Sequence, residues 1–118
     1  MIVFHGTGGY ALESLLKGPP HKRARPYLRK PSFSTTLAFR TAALFALRKS
    51  SAEDLRTGRI SGVVVEYRLD GAEGKDFRRT RDPYCLQEEH EVAVFSVKLL
   101  VPLAVWRDFR GEWERKEV

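Results

Sequence analysis

The stretch VFHGTGGYA, residues 3–11, is central to the fold prediction, because it joins a predicted strand to a predicted helix through glycines. Residues 2–4 are apolar and predict a short strand, and residues 10–17 repeat apolar side chains at helical spacing. Two patterns overlap between them. Residues 6–11 match the G-x-G-x-x-A fingerprint of dinucleotide-binding folds, and residues 5–7 form a separate His-Gly-Thr pattern.

The surrounding sequence argues against the dinucleotide fingerprint. A classical dinucleotide fold continues into a second parallel strand and then an acidic residue about 20 positions further on. Here a basic loop follows, HKRARPYLRK at residues 21–30, and no Asp or Glu occurs between Glu13 and Glu53. The carboxylate that binds ribose in that fold is therefore missing.

The composition is that of one ordinary domain, residues 1–118. Hydrophobic residues make up 42% of the chain, which is enough for a core. Lys and Arg outnumber Asp and Glu by 21 to 15, which favours phosphates, nucleic acids or acidic proteins as partners. No stretch approaches the roughly 18 apolar residues of a membrane helix, and no signal peptide precedes the first strand. We therefore expect a cytoplasmic protein with no membrane partner.

The cysteine and histidine content bears on disulfides and metals. Cys85 is the single cysteine, which excludes an internal disulfide, and nothing in the sequence pairs it with a catalytic base. The three histidines, at positions 5, 21 and 90, do not combine with it at metal-ligand spacing. We predict no metal site.

A second strand and helix are predicted after the basic loop. PSFSTT, residues 31–36, is typical of a short strand that ends in hydroxyl residues, and Thr35 or Thr36 can cap the following helix. That helix is predicted over residues 37–49, which are rich in Ala, Leu and Phe. A further helical turn is predicted in SSAEDLR, residues 50–56.

The second half of the chain predicts strands separated by a long polar loop at residues 70–87. The predicted strands are residues 60–69, 89–97 and 99–106. Pro102 favours a sheet edge or a bulge, and the charged tail after Trp106 is expected to fray. Helices early and strands late predict an α+β fold with a mostly antiparallel sheet.

Three short polar patterns stand out: His5-Gly6-Thr7, Ser34-Thr35-Thr36 and Glu89-His90-Glu91. Residues two apart in a strand point the same way, so Glu89 and Glu91 project from one face. That face continues with Ala93, Phe95 and Val97, which are typical of a core. Two carboxylates that begin an apolar strand directly after a long loop are well placed for a site.

In this order the three patterns resemble the ADP-ribosyltransferase superfamily over most of the chain. His-Gly-Thr at residues 5–7 resembles the opening motif of the histidine-bearing branch, which includes the poly-ADP-ribose polymerases and diphtheria-type toxins. FSTT at residues 33–36, followed by A-x-x-F-A at residues 42–46, resembles the central element of the arginine-bearing branch, and EHEVAVF at residues 89–95 resembles its Glu-x-Glu strand. The resemblance implies an ADP-ribosyltransferase-like split antiparallel sheet with two N-terminal helices.

The resemblance also implies an activity, the transfer of ADP-ribose from NAD to a macromolecular acceptor, or NAD hydrolysis, as in toxins or phage-type modifiers. Glu91 would be catalytic, because a carboxylate beside the ribose 2′-hydroxyl stabilises an oxocarbenium-like transition state. Glu89 would orient or deprotonate the acceptor. The basic loop at residues 21–30 would meet the pyrophosphate. The NAD-binding residues implied are His5, Gly6, Thr7, Ser34, Thr35 and Tyr27.

Within that set the resemblance implies different roles. Gly6 would let the nicotinamide amide approach the backbone closely. His5 would bind a ribose hydroxyl or brace the loop, and Ser34 would brace Glu91 or bond to the nicotinamide ribose. Thr35 and Thr36 are structural candidates.

The aromatic partner of nicotinamide is left open. The histidine-bearing branch usually places a stacking tyrosine in the second element, where this chain has Phe33 followed by serine. Tyr27, Phe33 or Tyr10 are the candidates. Trp106 and Trp113 are predicted to be packing and tail residues.

Two other functions remain open from the sequence. RNA 2′-phosphotransferases also carry a His-Gly-Thr opening, and the basic composition suits RNA. A non-catalytic nucleic-acid-binding domain would use the loops at residues 21–30 and 75–81, which combine Lys and Arg with an aromatic residue. The acceptor, protein or nucleic acid, is also open, and so is inhibition by a partner protein.

Overall fold

The structure is a computed structural model that describes residues 1–52, 56, 60–80, 91–109 and 111–118. Its strands are β1 (Ile2–Gly8), β2 (Phe33–Thr36), β3 (Gly62–Leu69), β4 (Phe77–Thr80), β5 (Glu91–Val94), β6 (Leu100–Phe109) and β7 (Glu112–Glu117). Its helices are α1 (Leu12–Lys17), which follows a 3-10 turn at Gly9–Ala11, and α2 (Phe39–Arg48). A second 3-10 turn, Val97–Leu99, precedes β6.

The seven strands form one sheet in the order β4-β5-β2-β1-β3-β6-β7, and every pairing is antiparallel. The predicted α+β class, with a mostly antiparallel sheet and two N-terminal helices, is confirmed. β1 pairs with β3 from Ile2↔Arg68 to Gly8↔Gly62, but it pairs with β2 only at Phe4↔Thr36. The sheet is therefore open between β1 and β2, and we call this opening the seam.

The two helices pack on opposite faces of the sheet. On the first face, Leu15 of α1 joins a core that includes Val3, Val65 and Tyr67. On the second face, Ala42 and Ala46 of α2 pack on Val64 of β3. We call these the α1 face and the α2 face.

Helix α2 lies very close to the strands beneath it. A Cβ atom added at Gly6 of β1 would lie 1.8 Å from the carbonyl oxygen of Ala42. One added at Gly62 of β3 would lie 2.0 Å from the carbonyl oxygen of Ala46. These two glycines allow α2 to contact the sheet backbone, which fixes one wall of the seam.

The predicted early elements are present, with shifted ends. β1 extends from Ile2 through Gly8, so His-Gly-Thr lies inside the strand rather than after it. The predicted cap from Thr35 or Thr36 was wrong: the N-cap of α2 is Ala38, which has no side-chain cap, and the Thr36 hydroxyl instead accepts a hydrogen bond from the Ala38 backbone N–H at 3.1 Å in the turn before the helix. Of the predicted helical turn at residues 50–56, Ala52 and Arg56 are helical, and residues 53–55 lie outside the described residues.

Three predictions about the second half were wrong. The loop at residues 70–87 contains β4, because Phe77 is buried and the strand pairs with β5. The strand predicted to reach residue 97 ends at Val94, where the Phe95 backbone N–H turns to bond the Asp76 carbonyl oxygen. The charged tail does not fray: β7 pairs with β6 from Phe109↔Glu112 to Ala104↔Glu117.

Pro102 and the tryptophans behave as predicted. β6 lies inside the sheet, and its register with β3 shifts between Glu66 and Tyr67, beside Pro102, so the proline lies at an irregularity. Trp106 and Trp113 both pack against Phe39 of α2. The second tryptophan therefore ties the C-terminal strand to the α2 face.

Candidate functional site

A cleft of about 620 Å³ lies along the seam between β1 and β2, within the size range of small-molecule sites. Residues 4–7 of β1 and residues 32–36 form its floor. α1 supplies Ser14 and Leu15, and α2 supplies Ala42 and Phe45. The cleft exists because only one residue pair joins the two strands, which leaves space where a continuous sheet would place further pairs.

The segment from Arg23 to Ser32 closes the cleft on the β2 side. Its ends are joined by two backbone hydrogen bonds, from the Arg23 N–H to the Ser32 carbonyl at 2.8 Å and from the Ser32 N–H to the Arg23 carbonyl at 2.9 Å. We call residues 23–32 the strap. It holds most of the basic loop predicted at residues 21–30.

His5 spans the seam. Its Nδ1 lies 2.6 Å from the carbonyl oxygen of Ser34, and its ring packs on Phe33 with centroids 4.2 Å apart. A carbonyl oxygen can only accept, so the proton lies on Nδ1 and Nε2 keeps its lone pair. The pKa of His5 is lowered to about 4, mainly by burial, with the charges of Arg23 and Arg25 acting in the same direction and the Ser34 hydrogen bond opposing them. His5 is therefore a neutral imidazole at physiological pH.

Glu91 is 1% exposed and accepts a hydrogen bond from the Tyr27 hydroxyl at 2.7 Å. It lies opposite Thr36 in the sheet, and Thr36 lines the cleft. Glu91 itself lies beside the cleft rather than in its lining, with Tyr27 of the strap against it. The strap thus brings an aromatic hydroxyl to a carboxylate 64 residues away in the chain.

The cleft is positively charged. Arg23 and Arg25 of the strap line one side, and Arg48 and Lys49 at the end of α2 line another. Within the described residues, no Asp or Glu lines the cleft and none forms an ion pair with these four cations. Such a site favours an anionic ligand.

Two polar atoms of the strap have unused hydrogen-bonding capacity. Arg25 Nε and Ser32 Oγ are both buried, and neither has a hydrogen-bond partner among the described residues. Both residues line the cleft. A ligand in the cleft would therefore lie beside two residues that have hydrogen-bonding capacity left among the described residues.

The sheet distributes the predicted site residues over its two faces. Directly opposite residues share a face, so the register from Phe4↔Thr36 to Thr36↔Glu91 places Glu91 on the α2 face, together with Gly6 and Ser34. His5 and Thr7 alternate to the α1 face and reach the cleft because the seam is open. The Thr35 hydroxyl donates to the Val92 carbonyl at 2.8 Å, which makes it a structural tie between β2 and β5.

The three aromatic candidates occupy different environments. Phe33 is 6% exposed and lies between His5 and Tyr67, so it has no free ring face. Tyr27 lies on Glu91, beside the cleft. Tyr10 lines the cleft and is 84% exposed. Of the three, Tyr10 has the ring that a ligand can reach directly.

The structure changes the interpretation of several residues that line the cleft or were predicted to do so. Arg48 and Lys49 were not predicted as site residues, because two cations at the end of a helix are ordinarily a match to the helix dipole. Gly6 is explained by the contact with Ala42 without any ligand. The predicted Glu89, together with His90 and Cys85, lies outside the described residues.

Comparisons with protein-family models, curated proteins and solved structures found no match for this chain. In the described part of the chain, no three His, Cys, Asp or Glu side chains come together as a metal-binding group. None of the described helices is long and apolar enough to cross a membrane.

Proposed function

We propose that the protein transfers ADP-ribose from NAD to an acceptor, or to water, in the cleft at the seam. The observation that carries the proposal is the convergence of the first two polar patterns with Glu91 of the third. They lie far apart in the chain, yet β1, β2 and β5 are neighbours in the sheet, and a cationic cleft lies at their junction. This convergence supports the resemblance to ADP-ribosyltransferases.

The positive charges and polar side chains of the cleft are suited to binding the pyrophosphate of NAD. A pyrophosphate offers several acceptor oxygens and negative charge. Arg23 and Arg25 supply positive charge, and Arg25 Nε and Ser32 Oγ supply buried polar atoms without a partner among the described residues. Charge-assisted hydrogen bonds of this kind are the stronger class.

Glu91 has the chemistry that the bond cleavage requires. The bond between the nicotinamide nitrogen and ribose C1′ breaks, the electron pair leaves with nicotinamide, and C1′ gains cationic character. A buried carboxylate that accepts the ribose 2′-hydroxyl hydrogen bond stabilises that cation. The acceptor or water then attacks C1′ and gives up its proton to a base, the role proposed for Glu89.

Tyr27 positions this carboxylate. Its hydroxyl holds one oxygen of Glu91, and a carboxylate has lone pairs for further hydrogen bonds. For a ribose in the cleft to meet Glu91, the Tyr27 side chain must move aside or share the carboxylate. Binding of NAD is therefore expected to shift the strap.

The decisive experiment measures free nicotinamide released from NAD, with and without a cell extract. We expect release by the intact protein, and a loss of about 10²–10³-fold in Glu91→Gln. Glu112→Gln, which removes an exposed carboxylate from β7, is the matched control and is expected to keep full activity. Dependence on the extract would indicate a macromolecular acceptor. No release in either condition, together with no binding of NAD, would exclude the proposal.

A second candidate is RNA 2′-phosphotransfer, and the separate Arg48–Lys49 pair favours it because one pyrophosphate does not require four cations. An RNA oligonucleotide with one internal 2′-phosphate tests it. Loss of that phosphate only when NAD is present would support this candidate over transfer to other acceptors.

A further inference from the structure

An exposed aromatic ring and two cations line the cleft together. The Tyr10 ring is 84% exposed, and Arg48 and Lys49 line the same cleft from the end of α2. Close contacts through Ser61 join the residue before Tyr10 to the segment that follows Lys49. A Cβ at Gly9 would lie 2.8 Å from the Ser61 carbonyl oxygen, and the Ser61 hydroxyl oxygen accepts a hydrogen bond from the Ser51 N–H at 3.0 Å. We call Tyr10, Arg48 and Lys49 the rim platform.

We propose that the rim platform binds a single-stranded nucleic acid, as the acceptor for the transferase reaction. An exposed aromatic ring beside unpaired cations is the arrangement with which proteins hold single strands, because bases stack on the ring and phosphates meet the cations. The acceptor role rests on the proposed function. The binding itself does not.

The cations that line the cleft form two pairs, one on the strap and one on the rim platform. Arg23 and Arg25 belong to the strap, whose Arg23 is joined to Ser32, just before β2, by two backbone hydrogen bonds, and they line the cleft together with His5. Arg48 lies over the ring of Phe45, with its guanidinium carbon 5.5 Å from the ring centroid, and so belongs to the wall formed by α2. Two separate pairs of cations suit two separate anionic groups, the NAD pyrophosphate and an acceptor phosphate.

Tyr10 favours a nucleic acid over an acidic protein at this rim. Carboxylate side chains would use the cations but would leave the exposed ring without a role. Tyr10 lies over Gly8, where a Cβ would come within 2.3 Å of its ring, so glycine allows the ring to settle at the cleft mouth. A nucleobase can stack on such a ring, and stacking is worth about 1–3 kcal/mol per base.

The test is binding of fluorescein-labelled single-stranded DNA and RNA 20-mers, measured by fluorescence anisotropy without NAD. We expect the double variant Arg48→Gln/Lys49→Gln to weaken binding about tenfold and to reduce the salt slope by about 1.4, the value for two phosphate contacts on a single strand. Tyr10→Ala is expected to weaken binding about fivefold or more, with an unchanged salt slope. Arg107→Gln/Lys116→Gln, on β6 and β7, removes the same charge elsewhere and is expected to change binding less than twofold.

Three outcomes would overturn the proposal. One is equal weakening in the β6–β7 control, which would mean diffuse charge attraction. Another is displacement of the oligonucleotide by poly-glutamate at the same charge concentration as by unlabelled strand, which would mean a general anion site or an acidic protein partner. The third is Tyr10→Ala that raises KM for NAD and leaves oligonucleotide binding intact. Since the binding assay omits NAD, the transferase proposal can fail while this one stands.

Discussion

Glu66 and Glu91 are two buried glutamates on the α2 face of the sheet, and their carboxylates accept hydrogen bonds from different parts of the fold. Glu66, on β3, is 8% exposed and accepts hydrogen bonds from Arg115 Nε at 3.1 Å, from Arg115 Nη2 at 2.8 Å and from Trp106 Nε1 at 3.0 Å. Glu91, on β5, accepts a hydrogen bond from Tyr27 of the strap. The first carboxylate is held by regular strands, and the second by an irregular segment beside a cleft.

The difference follows from the way the sheet is paired. β3, β6 and β7 are hydrogen-bonded along nearly their full lengths, so a side chain on one strand has fixed neighbours on the next. Those neighbours include an arginine, whose hydrogen bonds hold the pKa of Glu66 below its usual value. β1 and β2 share one residue pair, so this half of the molecule has an opening that other segments must cover. Glu91 therefore lies beside a cleft, whereas Glu66 is bridged to Arg115 within the continuous part of the sheet.

The largest effect is expected at the junction of the two halves. Gly6→Ala should lower the free energy of unfolding by about 3 kcal/mol or more, because its Cβ would clash with the α2 backbone at Ala42. Gly18→Ala is the control, since a Cβ there meets nothing within 4 Å. Urea denaturation measures both. Equal stability of the two variants would show that α2 can shift and that the seam has no rigid wall.

The two glutamates themselves give the next contrast. Glu66→Gln should lower the free energy of unfolding by about 2 kcal/mol, because Arg115 loses the buried carboxylate that accepts two of its hydrogen bonds and keeps only the exposed Glu117. Glu91→Gln should change it by less than about 1 kcal/mol, since the amide oxygen can still accept from Tyr27. Thermal and urea unfolding of both variants are the measurements. A larger loss in Glu91→Gln would mean that its charge serves stability.

His5 makes the seam sensitive to pH. Its folded pKa, about 4, is below the ordinary value of 6.5, so the unfolded state binds more protons between these values. Stability should therefore fall by about 2 kcal/mol as the pH drops from 6.5 to 4. His5→Gln should flatten that part of the profile, and His21→Gln, at an exposed histidine, should leave it unchanged. Urea unfolding across this range tests the difference, and a steep profile in His5→Gln would assign it to other groups.

At the strap, the expected effect on stability is smaller than at Gly6, Glu66 or His5. Tyr27→Phe removes the hydroxyl that holds Glu91 and should cost about 1 kcal/mol of stability. If Tyr27 positions Glu91, kcat for nicotinamide release should fall about tenfold with little change in KM. Ser96→Ala is the matched control, because it removes a hydroxyl that donates to the Asp76 carboxylate at 2.7 Å and neither residue lines the cleft. An unchanged kcat in Tyr27→Phe would mean that Tyr27 covers the site but does not position Glu91.

Local pattern was reliable where each residue's neighbours in the chain decide its structure. The apolar spacing of residues 37–49 predicted α2, and the alternation over residues 60–69 predicted β3. The failures share one cause. β4 and β7 are polar segments, FRRT and EWERKE, and they become strands because β5 and β6 present backbone groups to pair with. No local signal reports the presence of such a partner.

The candidate site likewise combines residues that the sequence predicted with features that depend on tertiary contacts. His5, Ser34 and Glu91 were identified from short patterns, and the sheet places their strands side by side. The sequence alone did not indicate Arg48 and Lys49 at the cleft, since their position depends on where α2 ends relative to the seam. It also could not show that Phe33 is buried while Tyr10 is exposed, because burial depends on what packs against each ring.

The sequence by itself determined the class of fold, the order of its early elements and the chemical types available for a site, because composition and periodicity are local properties. The tertiary structure decided that β1 and β2 part after one residue pair, that Tyr27 reaches Glu91, and that Glu66 is bound by Arg115. Each of these depends on contacts between residues at least 32 positions apart. Such contacts are set by the packing of the whole sheet, which no short stretch of the chain encodes.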